Sequence, residues 1–215
     1  MWYEIKDNTH WMTVGFLAAG MAASFAGPDM TVDRHLLRTS GLVERAYFTT
    51  TDCNYVEGCV KVAGLRKLYK VDVGLVNIGK GDLVIGSPED RPDLFVWSPC
   101  HQHYHMKTMV LYRLLNLNFV PVTHARKQAF CLRDNYPFLD TAGASSGYTC
   151  GYQGITSGWE DVYDKALDCQ YIDVTGVPPG QYYLEVEVNP FHVFAEGNYA
   201  NNKVMVLITI PKLGA

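Results

Sequence analysis

The chain has 215 residues, enough for one domain with a sizeable core. Its residues are 48% hydrophobic and 19% charged, which excludes a disordered polar chain. The formal net charge is −4, and no basic run is long enough to form a nucleic-acid surface.

In chain order, the first signal is Met12–Ala26 (MTVGFLAAGMAASFA), apolar and rich in small residues. It is shorter than the roughly twenty residues a membrane-spanning helix needs, so no stable membrane insertion is expected. It fits the apolar core of a secretory signal, with Ser24 and Ala26 as the small residues before a cut at Gly27. Residues 1–27 are therefore read as a signal peptide and 28–215 as the mature domain. Met1–Trp11 carries Lys6 against Glu4 and Asp7 and lacks the usual positive charge; a buried N-terminal helix is the alternative.

Thr31–Phe48 shows no clean period and reads as one short element with loops. Cys53 and Cys59 bracket a small loop. Lys67–Ile78 (KLYKVDVGLVNI) is β-branched and partly alternating, Gly79-Lys80-Gly81-Asp82 is a turn signal, and Leu83-Val84-Ile85-Gly86 follows. That pattern reads as a β-hairpin. Pro88–Pro99 reads as loop around Leu94-Phe95-Val96-Trp97.

Cys100-His101-Gln102-His103-Tyr104-His105 places a histidine at every second position. Side chains on a β-strand point to alternate faces, so His101, His103 and His105 would share one face, about 6–7 Å apart. Three imidazoles can close on one ion with bonds of roughly 2 Å, a donor set that suits copper or zinc and not calcium or magnesium. The alternatives are a histidine-rich surface strand or three buried, separately satisfied histidines. This strand is expected to continue through Met109-Val110-Leu111-Tyr112 to about Leu115.

Residues 134–158 are rich in Gly, Ser, Tyr and Pro. A long loop of that kind inside a compact domain is usually functional or tied down covalently. Cys169–Val174 is a strand candidate, and Pro178-Pro179-Gly180 is a turn. Tyr182, Leu184, Val186 and Val188 alternate with Tyr183, Glu185 and Glu187, as in a half-buried strand. Glu196–Asn202 is a polar loop, and Val204–Ile210 a closing apolar strand. The expected fold is an all-β, Ig-like β-sandwich with long functional loops and little helix. The six cysteines, none with CxxC spacing, read as three disulfides of an oxidising compartment, with fifteen connectivities open.

Several of these segments together resemble the lysyl oxidase family. Trp97-Ser98-Pro99-Cys100-His101-Gln102-His103-Tyr104-His105 is similar to its copper-binding segment. Arg126-Lys127-Gln128-Ala129-Phe130-Cys131-Leu132 resembles its cofactor-lysine segment. Asp161-Val162-Tyr163, with Leu167-Asp168-Cys169-Gln170-Tyr171-Ile172-Asp173, resembles its cofactor-tyrosine segment. Pro179-Gly180, Val188-Asn189-Pro190 and Tyr199-Ala200-Asn201-Asn202 extend the likeness, which covers roughly residues 28–211. The chain departs from vertebrate members at Ser98-Pro99, where they carry His-Ser, and over Met106–Leu111, where they carry acidic residues and a further histidine.

The resemblance implies copper held by His101, His103 and His105, and lysine tyrosylquinone made from Lys127 and Tyr163. It implies a secreted amine oxidase whose substrates are peptidyl lysine or another primary amine and molecular oxygen. A quinone carbonyl would condense with the amine, and a base would remove the α-proton, releasing an aldehyde, hydrogen peroxide and ammonia. Asp161 is the candidate base because an extended Asp161–Tyr163 puts both on one face; an aspartate serving a turn is the alternative. The resemblance also pairs Cys53 with Cys100, Cys59 with Cys169 and Cys131 with Cys150. It further suggests calcium at Asp29, the Met30 carbonyl, Glu196, Asn198, Asn201 and Asn202, with Asn198 standing where the family has an aspartate. Asparagines serving turns are the competing reading there. Competing functions are a non-catalytic extracellular copper-binding β-sandwich and a zinc hydrolase.

Overall fold

The structure, a computed structural model, describes residues 26–107, 109–126 and 131–212. Most of the expected signal segment, and Lys127, lie outside the described residues. The described chain is all-β with little helix. Its first strands are β1 (Met30–Val32), β2 (Leu42–Phe48), β3 (Gly64–Lys70), β4 (Val73–Asn77) and β5 (Leu83–Gly86). There follow β6 (Phe95–Ser98), β7 (His103–Met106), β8 (Val110–Leu115), β9 (Pro121–Arg126) and β10 (Tyr136–Pro137). The last are β11 (Gln153–Ile155), β12 (Trp159–Tyr163), β13 (Tyr171–Asp173), β14 (Gly180–Val188) and β15 (Lys203–Ile210). Two short helices, α1 (Arg34–Thr39) and α2 (Cys53–Val56), interrupt them.

Two antiparallel four-stranded sheets, ordered β1-β4-β12-β10 and β15-β14-β8-β9, enclose one apolar core. Met30, Val73 and Leu75 enter it from the first sheet; Leu114, Leu184, Val186 and Val206 enter it from the second. The alternation over 182–188 has the expected consequence: β14 buries Tyr182, Leu184, Val186 and Val188 between two hydrogen-bonded neighbours. β4 is buried at every position, because it is central in its sheet and covered on both faces.

The expected hairpin over 67–86 is not formed. The chain makes two strands of 67–78, broken at Val71-Asp72. Asp72 is held off the ladder, accepting from the Lys165 backbone N–H at 2.7 Å and from Lys165 Nζ at 2.9 Å. Nor do β4 and β5 pair with each other: β4 pairs with β1 and β12, and β5 with β11. The Gly79–Asp82 turn packs instead on the N-terminal segment, where Gly81 N–H donates to the Gly27 carbonyl. A Cβ at Gly79 would lie 2.4 Å from the Asp29 nitrogen, so glycine permits that approach.

Three other expectations need correction. Thr31–Phe48 contains the end of β1, α1 and β2; Asp33 caps α1 by accepting from His35 and Leu36 N–H. The expected loop at 88–99 contains β6, which pairs with β7. The histidine segment is not one strand running to Leu115: β7 and β8 are separate, and His101 precedes β7 in a turn. All three disulfides implied by the resemblance are present: Cys53–Cys100, Cys59–Cys169 and Cys131–Cys150.

On β12, Asp161 and Tyr163 face the core while Glu160 faces α1. Burial, with Asp33 nearby, raises the Glu160 carboxyl to about 7. A carboxyl raised on folding favours the folded state only while protonated. Its contribution is present below about 4.5 and is lost as pH rises through about 7. Glu160→Gln is therefore expected to raise the unfolding midpoint at pH 8, with the difference vanishing toward pH 4. The gain is on the order of 1–2 kcal/mol, less than a full conversion of the shift, because the group is only half-buried. Thermal unfolding of both proteins across that range checks it.

Candidate metal centre and adjoining pocket

The histidine cluster is built on a hairpin. β6 and β7 pair with Ser98 opposite His103 and Phe95 opposite Met106. The connection is Pro99–Gln102, closed by Gln102 N–H donating to the Ser98 carbonyl at 2.8 Å, with Gln102 at φ 57°. His101 N–H donates to Ser98 Oγ at 3.0 Å. The loop is tied to the start of α2 by Cys53–Cys100.

This hairpin brings the three predicted histidines together by a different route from the one alternation suggested. His103 and His105 do share one strand face, but His101 folds back from the loop and stacks on His103. The ring centroids lie 5.8 Å (His101–His103), 5.2 Å (His101–His105) and 4.9 Å (His103–His105) apart.

His103 Nδ1 sits 2.9 Å from the His101 carbonyl. A carbonyl only accepts, so that nitrogen carries the proton and Nε2 presents a lone pair. The Nε2 atoms of His103 and His105 face each other at 3.2 Å. Two nitrogens each roughly 2 Å from one ion at a tetrahedral angle are separated by about that distance. The donor set therefore fits a nitrogen-seeking metal such as copper or zinc.

Two carboxylates that sequence reasoning missed border the cluster. Glu57, the residue after α2, accepts from the Ser98 hydroxyl, and its Oε2 lies 3.2 Å from His101 Nδ1 and 3.8 Å from His105 Nδ1. Asp168 Oδ2 lies 3.4 Å from His101 Nε2. Asp168 is held by Asn54, whose amide donates to it at 2.9 Å and whose carbonyl oxygen accepts from Cys169 N–H. Had the disulfide pairing been used as a distance constraint, Cys53–Cys100 and Cys59–Cys169 would have drawn the Cys53–Cys59 loop and Asp168 toward the histidines.

His103 also lines a cavity of about 250 Å³ with Arg133, Asp161, Val162, Tyr163, Leu167 and the Cys131–Cys150 disulfide. Asp161 and Tyr163 are buried and hydrogen-bonded to each other. Burial first, then the Asp161 charge and hydrogen bond, push the Tyr163 hydroxyl well above its usual range, while Arg133 pulls it down. A larger cleft of about 510 Å³ beside Arg38, Tyr69 and Leu207 contains none of these groups.

In the polar loop after β14, Glu196 is buried and accepts from Met30 N–H at 2.8 Å and from the side chains of Asn189 and Asn202 at 2.6 Å each. Asn201 donates to Asp29 Oδ1 at 2.8 Å. Among the described residues, Asn201 Oδ1 and Asn202 Oδ1 are buried oxygens without a hydrogen-bond partner. Asn198 is turned elsewhere and caps a short 3-10 turn by accepting from Ala200 N–H.

An all-β, disulfide-stapled domain with a histidine cluster opening onto a buried tyrosine–aspartate pair is the kind of protein that these features define. A lysyl oxidase family model matches residues 28–212, and the chain belongs to the lysyl oxidase family. It is 34% identical over 197 residues to lysyl oxidase homolog 2 of Gallus gallus, covering 87% of this chain and 25% of that protein. It is 32% identical over 201 residues to lysyl oxidase homolog 4 of Homo sapiens, covering 87% and 26%. It is 34% identical over 203 residues to lysyl oxidase homolog 2A of Danio rerio, again covering 87% and 26%. The chain thus spans about a quarter of the length of these curated relatives. No helix among the described residues is long and apolar enough to cross a membrane.

Proposed function

We propose that residues 28–215 form the catalytic domain of a secreted copper amine oxidase that converts peptidyl lysine or other primary amines to aldehydes. The observation that carries this reading is the pocket shared by His103, Asp161 and Tyr163. Copper with a lysine tyrosylquinone from Lys127 and Tyr163 would supply an electron-accepting carbonyl and pass electrons to oxygen, giving hydrogen peroxide and ammonia. His101, His103 and His105 would hold the copper.

The remaining work falls to the chain's own side chains. Asp161 holds the Tyr163 hydroxyl proton, and its charge together with burial keeps that tyrosine neutral. A cation nearby would reverse that preference. Asp161 also gives the pocket an anionic wall that attracts a substrate ammonium, and it is the candidate to accept a proton from the amine's α-carbon. The small cavity admits an unbranched side chain and excludes a folded protein surface.

Copper-reconstituted protein incubated aerobically with n-alkylamines and a lysine peptide tests the proposal. Aldehyde and peroxide formed in equal amounts are expected. Tight copper binding without turnover would leave the non-catalytic copper-binding reading.

Calcium between the N-terminal segment and the last loop belongs to the same proposal. Two carboxylates, Asp29 and Glu196, and two amide oxygens without partners, those of Asn201 and Asn202, make an oxygen-donor set suited to a hard cation. Since Asp29 and Asn201 come from opposite ends of the domain, an ion there would tie those ends together. EDTA is expected to lower the unfolding midpoint and excess calcium to restore it. Calcium at a hundred times its dissociation constant corresponds to about 2.7 kcal/mol. An unchanged midpoint, with no calcium by elemental analysis, would leave these asparagines a purely structural role.

A further inference from the structure

We infer that Arg133 sets the substrate preference of the pocket beside His103, selecting a primary amine that also carries a carboxylate at the far end of its chain. The inference rests on the amine oxidase reading and names the substrate class of that same site.

The pocket carries charges of both signs. Asp161 is buried in its wall next to the buried Tyr163. Arg133 lines the same pocket but is exposed, so it stands at the mouth. Among the described lining residues, Arg133 is the one with a permanent positive charge. That charge reaches the Tyr163 hydroxyl, whose pKa it pulls down.

The backbone beneath Arg133 is fixed. Cys131 is joined to Cys150. The buried Leu132 donates its N–H to Gln153 Oε1 at 2.9 Å, and its carbonyl accepts from Gly154 N–H at 3.1 Å. Arg133 N–H donates to Asp161 Oδ2 at 3.4 Å. The guanidinium therefore starts from a defined point on the rim, beside the carboxylate that attracts a substrate ammonium. Neighbouring carboxylates are engaged elsewhere. Asp134 accepts from Thr156 N–H at 2.8 Å and from the hydroxyls of Ser145 and Thr156. Asp164 accepts from Ala166 N–H at 2.7 Å, and Asp168 from Asn54. Among the described residues the Arg133 guanidinium has no hydrogen bond or ion pair. An exposed arginine is ordinarily just a solvated surface group. This one differs in standing over a cavity of about 250 Å³ that has an anion in its wall.

The chemistry follows from the two charges. A primary amine is an ammonium in neutral water, and Asp161 attracts it. Drawing the ammonium inward leaves the other end of the chain at the mouth. A carboxylate there meets a planar fork of N–H donors that can hold both its oxygens. A second ammonium is repelled, and a methyl group meets neither effect. Attraction and repulsion together give a ranking for chains of equal length: carboxylate, then methyl, then ammonium. In a peptide, the matching carboxylate is that of an acidic residue beside the lysine.

Three amines with the same methylene chain test the ranking: ε-aminocaproate, n-pentylamine and cadaverine, which end in carboxylate, methyl and ammonium. Two lysine peptides, identical except that glutamate or glutamine follows the lysine, show whether the carboxylate is that of a free amino acid or of a peptide neighbour. kcat/KM is measured for each on copper-loaded wild type, Arg133→Gln, Arg133→Lys and Arg133→Glu. Ratios taken within one protein cancel any effect of the substitution on cofactor formation. Wild type is expected to prefer ε-aminocaproate to n-pentylamine about fivefold at low salt, the upper end for an exposed ion pair, and to lose the preference as salt rises. Arg133→Gln should bring the ratio near one, Arg133→Lys should keep part of it, and Arg133→Glu should turn it toward cadaverine. Calorimetric binding of the three amines to copper-free protein reads the same ranking without turnover. A wild-type ratio near one, or a ratio unchanged in Arg133→Gln, overturns the inference. Selective binding of ε-aminocaproate without oxidation of any amine would instead overturn the amine oxidase reading and leave the pocket's preference standing. Protein that neither binds nor oxidises these amines overturns both.

Discussion

Tyr163→Phe is expected to yield a folded protein that binds copper and oxidises no amine. The ring is buried in the core at the end of β12, and phenylalanine keeps its packing. What is lost is the hydroxyl, and with it one of the donors to Asp161, which also accepts from the Arg133 backbone N–H. Leaving that buried carboxylate short of a donor costs about 1–3 kcal/mol, which a domain with three disulfides should survive. Activity, in contrast, is expected to fall to background, because a phenyl ring has no phenolate oxygen to bind the metal and lead to a quinone. A quinone stain after aerobic copper loading and a peroxide assay read both consequences. A variant that stains and turns over amine would remove Tyr163 from the chemistry.

His103→Ala carries the second large effect. His103 touches both halves of the site: its Nε2 meets that of His105, and its ring lines the pocket with Asp161 and Tyr163. Removing it takes away a donor and leaves the facing nitrogen of His105 without that neighbour. The expected loss of copper affinity exceeds the roughly 10–100-fold caused by losing an outer acceptor. On the proposed mechanism the cofactor would not form without copper, so activity is expected to be lost as well. The half-buried side chain lies near the loop end of a short hairpin, so the thermal midpoint should change little. Elemental analysis after dialysis decides it: stoichiometric copper with full activity would exclude His103 as a ligand.

The reach of the sequence is clearest where neighbours along the chain decide the outcome. Alternation in Tyr182–Val188 located β14 because a half-buried strand must alternate. The turn at 79–82 was legible as a turn but misleading as a hairpin. Strand partners are chosen across the whole fold, and β5 finds β11 about seventy residues later. The histidine spacing marks three residues that the fold does bring together, but for an incomplete reason, since two of them use strand alternation and His101 uses the loop. Glu57 and Asp168 carry no local pattern at all. Each is one of 22 acidic residues, and only the disulfides bring them to the histidines. The pairing of Asp161 with Tyr163 is legible because the two stand two residues apart on one strand.

The most direct measurement is proteolytic mapping by mass spectrometry of protein loaded with copper under air, with and without prior addition of a chelator. A covalently joined pair of peptides, one containing Lys127 and the other Tyr163, is expected only in the copper-loaded sample. Recovery of both peptides separate and unmodified from copper-loaded, aerobic protein that oxidises amines would contradict the assignment of Lys127 and Tyr163 as the source of the cofactor.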